Sequence, residues 1–160
     1  MINPQFGQKK EKVKSQSAEI MIALDVSQSM MAEDIKPNRL SRAKIWIKQF
    51  TDRFPSEKIG LISFAANAYL QSPLTNDVAT INLLSSIADP SLASIQGTSL
   101  TGAIDLAIKS FPSRDGHQKL LILISDGEDH EGEVISKAEE AAREGITIAC
   151  LPVGTPEGAN

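Results

Sequence analysis

The stretch IMIALDVSQSM (residues 20–30) decides the fold. It opens as a nearly unbroken apolar run, ends that run at Asp25, and then places hydroxyls at alternate positions, Ser27 and Ser29. A strand with one face in water alternates apolar and polar residues, whereas a continuous apolar run marks a strand buried on both faces, as in a parallel sheet covered by helices. Such a strand, ending in a carboxylate and two hydroxyls, carries polar groups to one point at the rim of a sheet.

Outward from it, EIMIALD (19–25) has three counterparts, KIGLISFA (58–65), KLLILIS (119–125) and ITIACLPV (146–153). Helical periods fill the intervals. In RLSRAKIWIKQFTDRF (39–54) the apolar residues Leu40, Ala43, Ile47, Phe50 and Phe54 recur at spacings of three and four, with Asn38 placed as N-cap. NDVATINLLSSI aligns Val78, Ile81, Leu84 and Ile87, and LTGAIDLAIKSF aligns Leu100, Ile104, Ala107, Ile108 and Phe111. EVISKAEEAAREG aligns Val134, Ile135, Ala138 and Ala141 and stops at Gly145, a left-handed terminator. ANAYLQSPL (66–74) reads as a short antiparallel edge strand closed by Pro73. The alternation predicts an α/β, doubly wound, mostly parallel sheet with helices on both faces, right-handed crossovers and one short antiparallel edge strand.

The 160 residues suffice for one domain burying about two-thirds of its unfolded surface. With 16 basic against 20 acidic residues and a net charge of −4, no basic stripe is available for phosphates, so nucleic acid is not the expected partner. Lys9, Lys10, Lys12 and Lys14 read as a solvated N-terminal arm over residues 1–17, ahead of a domain at 18–160. Cys150 is the only cysteine, which excludes an intrachain disulfide, and its apolar run predicts a small core residue. No apolar run approaches the roughly 20 residues of a membrane span, and the N-terminus lacks a signal-peptide apolar region.

In doubly wound sheets ligands bind beyond the carboxyl ends of the strands, where strand order reverses. Asp25 and Asp126 both belong at that rim. Asp25, Ser27 and Ser29 offer hard oxygen donors, suited to Mg²⁺, Mn²⁺ or Ca²⁺ rather than to zinc or copper. Two further segments bring donors to the same rim: IQGTSLTGAID presents Thr98 ahead of a helix, and LISDGEDHEG presents Asp126 before a glycine turn. Neutral hydroxyls leave the cation's charge only partly satisfied, so it accepts a carboxylate from outside. Taken singly, each element is also ordinary turn or capping chemistry. Their common placement at one rim is what favours a site.

Together, DVSQS, GTSLTGAI and LISDGED resemble the metal-ion-dependent adhesion site of the von Willebrand factor A domain family. The resemblance implies a divalent cation, Mg²⁺ before Mn²⁺ or Ca²⁺, held by Asp25, Ser27, Ser29, Thr98 and Asp126. One position would be left for an acidic side chain of a protein partner. NPQFG, MMAEDIKPNRLSRAK and SDGEDHEG are similar to the bacterial Bat proteins, the aerotolerance-associated branch, and within it to the BatB-like members. That similarity implies a membrane-anchored protein of the bacterial inner membrane with this domain in the periplasm. It implies as partners other Bat-like A-domain proteins and an AAA-type ATPase system. Full A domains usually add another helix and a sixth strand. The chain stops at VGTPEGAN, which implies a C-terminally truncated domain whose last strand is a sheet edge open to pairing with another copy.

An enzyme is not expected. A strand-end aspartate also serves phosphoryl transfer, but that chemistry wants a second nearby carboxylate and a lysine. Here hydroxyls stand in the second place, and Lys44 and Lys48 read as solvent-facing. P-loop and G-x-S-x-G patterns are absent. His117 and His130 lack a partner at zinc spacing, and the acids Glu128, Asp129, Glu131 and Glu133 fit either a rim biased against acidic partners or, more simply, a helix start. Met30 and Met31 fit either a partner-contact patch or packing over the first helix. The other reading of the whole is a structural scaffold domain of a membrane complex, with a non-functional metal site.

Overall fold

In the computed structural model, which describes residues 18–112, 116–127 and 133–154, β1 (Ala18–Asp25) is the central strand of a five-stranded sheet. Around it lie β2 (Lys58–Phe64), β3 (Ala68–Thr75), β4 (Gln118–Ser125) and β5 (Ile146–Pro152), in the order β3-β2-β1-β4-β5. β1 pairs in parallel with both β2 and β4, and β5 pairs in parallel with β4. Among the described strands only β3 runs antiparallel, against β2. This is the predicted mostly parallel architecture with one antiparallel edge.

The helices are α1 (Arg39–Arg53), α2 (Val78–Ser86), α3 (Leu100–Ser110) and α4 (Val134–Arg143), with short 3-10 turns at Gln28–Met31 and Pro90–Leu92. Alternate residues of β1 feed two separate cores. Ile20, Ile22 and Leu24 pack with Leu40, Ala43 and Ile47 of α1 and Ile81 of α2. Met21 and Ala23 pack with Ala103, Ile104 and Ala107 of α3 and Ala141 of α4. Each fully buried aliphatic side chain contributes roughly 1.5–3 kcal/mol, so a strand supplying both faces stabilises both halves of the core at once.

Local signals hold where they are chemical. Asn38 Oδ1 accepts from the Ser41 amide at 2.7 Å and caps α1. Gly145 takes φ 81° directly after α4 and its cap, as its αL assignment requires. Ile122 pairs with Ile22 and Ile124 with Leu24, which leaves Asp25 and Ser125 side by side at the strand ends.

Several expectations are corrected. β3 continues through Pro73 to Thr75; it is the outermost strand and its register shifts between Ile59 and Ile62, so the missing N–H disrupts no regular ladder. Ile87, the C-cap just past α2, and Ile135, in the first turn of α4, are exposed at 57% and 76%, so the apolar period runs beyond the face that is buried. Cys150 is exposed rather than in the core: β5 is outermost among the described strands, and burial fades from Ile146 toward the rim. Met30 is fully buried in the α1-side core and Met31 packs against it, which assigns the pair to packing. Lys44 is half-buried and donates to the Ser86 carbonyl at 3.0 Å, tying α1 to α2. The N-terminal arm (1–17), His130, Glu128, Asp129 and Glu131 lie outside the described residues. No helix among the described residues is long and apolar enough to cross a membrane.

Candidate metal centre at the strand ends

β1 ends at Asp25 with no exposure to solvent, and the chain then turns sharply into the 3-10 turn Gln28–Met31. The turn is built on Asp25 itself: Oδ1 accepts from the Ser27 amide at 2.8 Å. Oδ2 accepts from Ser125 Oγ at 2.7 Å, joining the ends of β1 and β4. Burial pushes the Asp25 carboxyl up from its ordinary value, the Ser27 and Ser125 hydrogen bonds pull it back, and the neighbouring Asp126 pushes it up again. Burial thus disfavours the ionised form of this carboxyl, and a bound cation is the group that would offset that penalty.

The two serines face each other, with Ser27 Oγ and Ser29 Oγ 3.1 Å apart. Ser29 Oγ donates in turn to Asp126 Oδ2. Asp25, Ser27, Ser29 and Asp126 therefore form one connected run of oxygens, drawn from the end of β1, the following turn and the residue after β4. Thr98 stands half-buried on the neighbouring loop. That loop is anchored at the same rim: the Ser99 amide donates to the Ala65 carbonyl at 2.7 Å, and the Gln28 amide donates to Gln96 Oε1 at 3.1 Å. Ser99 then caps α3 by accepting from the Gly102 amide at 3.0 Å. The structure thus brings four of the five expected residues into one chain of contacts and carries Thr98 on a loop anchored at the same rim.

Three residues join this site that the sequence reading did not assign to it. Ser125 orients Asp25. Arg39 donates through Nη1 to Asp126 Oδ2 at 3.2 Å, and through Nε and Nη2 to the two oxygens of Asp34 at 2.9 and 3.0 Å. A legible signal existed for Arg39. It sits in the first turn of α1, where the helix dipole disfavours a cation, and a cation there implies a specific anionic partner.

The donor set consists entirely of carboxylate and hydroxyl oxygens, which suits a hard divalent cation that keeps part of its water. Among the described residues no three His, Cys, Asp or Glu side chains gather as a metal cage, and His117 instead lies 3.9 Å from Glu19 at the other end of β1. The residues present fit a Mg²⁺-like ion held with few formal charges.

Comparison with known proteins agrees with the fold. A sequence model of the von Willebrand factor type A domain matches residues 20–128. The crystal structure of a conserved hypothetical protein BatB from Bacteroides thetaiotaomicron is 43% identical with a TM-score of 0.86, over 89% of this chain and 70% of that one. An aerotolerance-related membrane protein from Bacteroides fragilis is 40% identical with a TM-score of 0.86, over 89% and 71%. A UPF0353 protein of Mycobacterium avium is 34% identical over 88% of this chain and 46% of its own length, so the chain spans about half of that relative. The family match, the sheet order and the rim of hydroxyls and carboxylates agree: the chain belongs to the von Willebrand factor type A domain family, on its Bat-like branch.

Proposed function

We propose that this domain is a metal-ion-dependent protein–protein interaction module that takes an acidic side chain of its partner onto a bound divalent cation. The observation that carries the reading is the connected run Asp25–Ser27–Ser29–Asp126, with Thr98 on the adjoining loop. Asp25 organises the turn and supplies buried negative charge, Ser27 and Ser29 offer neutral oxygens, and Asp126 closes the far side. Thr98 adds a further hydroxyl. Mg²⁺ is the first choice, with Mn²⁺ and Ca²⁺ compatible with the same donors. When bound, such an ion supplies Lewis-acid attraction for a carboxylate.

The partner chemistry is an acidic protein side chain. The Bat-like branch supports a membrane-anchored protein of the bacterial inner membrane, with this domain on the periplasmic side. The candidate partners are other Bat-like A-domain proteins and an AAA-type ATPase system. Asp126 does supply a second carboxylate beside Asp25, but Arg39 and Ser29 engage it, and the neutral hydroxyls between the two acids favour ion binding over acid–base work. The competing reading is a scaffold domain whose site takes no metal.

Calorimetric titration of Mg²⁺ and Mn²⁺ into the chelator-treated domain, beside Asp25→Ala and Thr98→Ala, decides between them. Binding that both substitutions weaken supports the interaction module. Partner capture that persists in chelator favours the scaffold.

A further inference from the structure

Arg39 is buried, and so are both carboxylates it touches: the side chains of Arg39, Asp34 and Asp126 are exposed by only 8%, 6% and 2%. The guanidinium carries a permanent positive charge in a rigid fork, which matches the two-oxygen grip on Asp34. Its position is built in from three sides. The Arg39 amide donates to the Ala32 carbonyl at 2.9 Å, and the Ala32 amide donates to the Ser29 carbonyl at 3.2 Å, linking the helix start to the serine turn. On the far side is Gly154, where an added Cβ would come within 3.2–3.4 Å of Nε, Cζ and Nη2. Gly154 also takes φ 119°, a backbone conformation that other residues rarely adopt, so its backbone passes close against the guanidinium where a side chain would crowd it.

Asp126 Oδ2 thus accepts from Ser29 and from Arg39 at once. We propose that Arg39, clamped by Asp34 and roofed by Gly154, is a built-in counter-charge to Asp126 that weakens the site's hold on a free cation and strengthens the loaded site's attraction for a carboxylate. This rests on the metal-dependent reading above and specifies how its acidic-partner preference is set. Arg39 is a positioning residue that acts through Asp126. The physical reason is direct: a fixed positive charge beside a ligand cancels part of that ligand's pull on the ion, and the ion then keeps more of its charge for an outside anion. Asp34 tempers the effect, because it takes two of the guanidinium's donors and shares its charge.

Arg39→Gln and Asp34→Asn therefore have opposite effects. The test is Mn²⁺ binding to the domain, followed by acetate binding to the Mn²⁺-loaded domain by water-proton relaxation, with melting in chelator to confirm that each variant is folded. Arg39→Gln should tighten Mn²⁺ by about tenfold and weaken acetate. Asp34→Asn should weaken Mn²⁺ by a similar factor and strengthen acetate. Both variants weakening Mn²⁺ together, or neither changing it, overturns the counter-charge role. If Arg39→Gln fails to fold, Asp34→Asn decides alone, and unchanged or tighter Mn²⁺ binding overturns the proposal. A wild-type domain that binds no Mn²⁺ defeats the metal-dependent reading itself, and the counter-charge role with it.

Discussion

Ser125 Oγ and Asp25 Oδ2 are 2.7 Å apart across 100 residues of chain, and this bond ties the end of β4 to the end of β1. It leaves the carboxylate pinned on both oxygens, one by a backbone amide and one by a hydroxyl. Groups that orient a ligand in this way typically account for about 10–100-fold in metal affinity when removed. Ser125→Ala is expected to weaken Mn²⁺ binding within that range while Ser125→Thr retains it. Calorimetry on the two variants checks this, and unchanged affinity in Ser125→Ala would remove Ser125 from the site.

The buried Asp25 carboxyl gives the metal-free domain a defined pH dependence. Its folded value is raised above the ordinary 3.8, with burial as the largest cause. The folded state therefore holds its proton to higher pH than the unfolded chain does. The stability linked to that proton is fully present below the unfolded value and is lost as pH rises through the folded value. Asp25→Asn removes the titration, so its stability relative to wild type should increase as pH is raised from acid to neutral. Urea unfolding in chelator across that range measures the difference; a gap that stays constant or narrows would contradict the expectation.

At the start of α1, Asn38 caps the helix through the Ser41 amide at 2.7 Å and so fixes where Arg39 begins its reach. Asn38→Ala should cost about 1 kcal/mol, read as a lowered urea midpoint, and Asn38→Asp should cost little.

On β2, a Cβ on Gly60 would lie 2.7 Å from Met21 Sδ and 3.0 Å from the Ser72 carbonyl. Gly60→Ala should therefore destabilise by about 1–3 kcal/mol through overpacking, despite its lower backbone entropy in the unfolded chain. Metal affinity should be unaffected, because the strand end carrying Asp25 is not disturbed. Paired unfolding and Mn²⁺ titration would separate the two effects, and a stabilised Gly60→Ala would show that Met21 yields.

Much of the fold was legible because it rests on local rules. Unbroken apolar runs predicted doubly buried strands, and β1, β2 and β4 have that burial. Asn38 and Gly145 predicted helix ends because capping and left-handed turns are properties of single residues. The rule failed where burial depends on a neighbour. Cys150 and Ile135 have core-like sequence contexts, but an outer strand and a helix position beyond the buried face leave them exposed.

For the candidate site, the sequence by itself offered the donors: Asp25, Ser27 and Ser29 stand out as a strand-end carboxylate with closely spaced hydroxyls, and Thr98 and Asp126 as polar residues at a helix start and a strand end. Only the tertiary structure decided how these groups are held. Ser125 bonds Asp25 through a parallel pairing of β1 with β4, and Arg39 meets Asp126 across 87 residues because α1 packs beside the end of β4. Contacts of that kind leave no spacing in the sequence, since loop and helix packing set the distance between such residues independently of their separation along the chain.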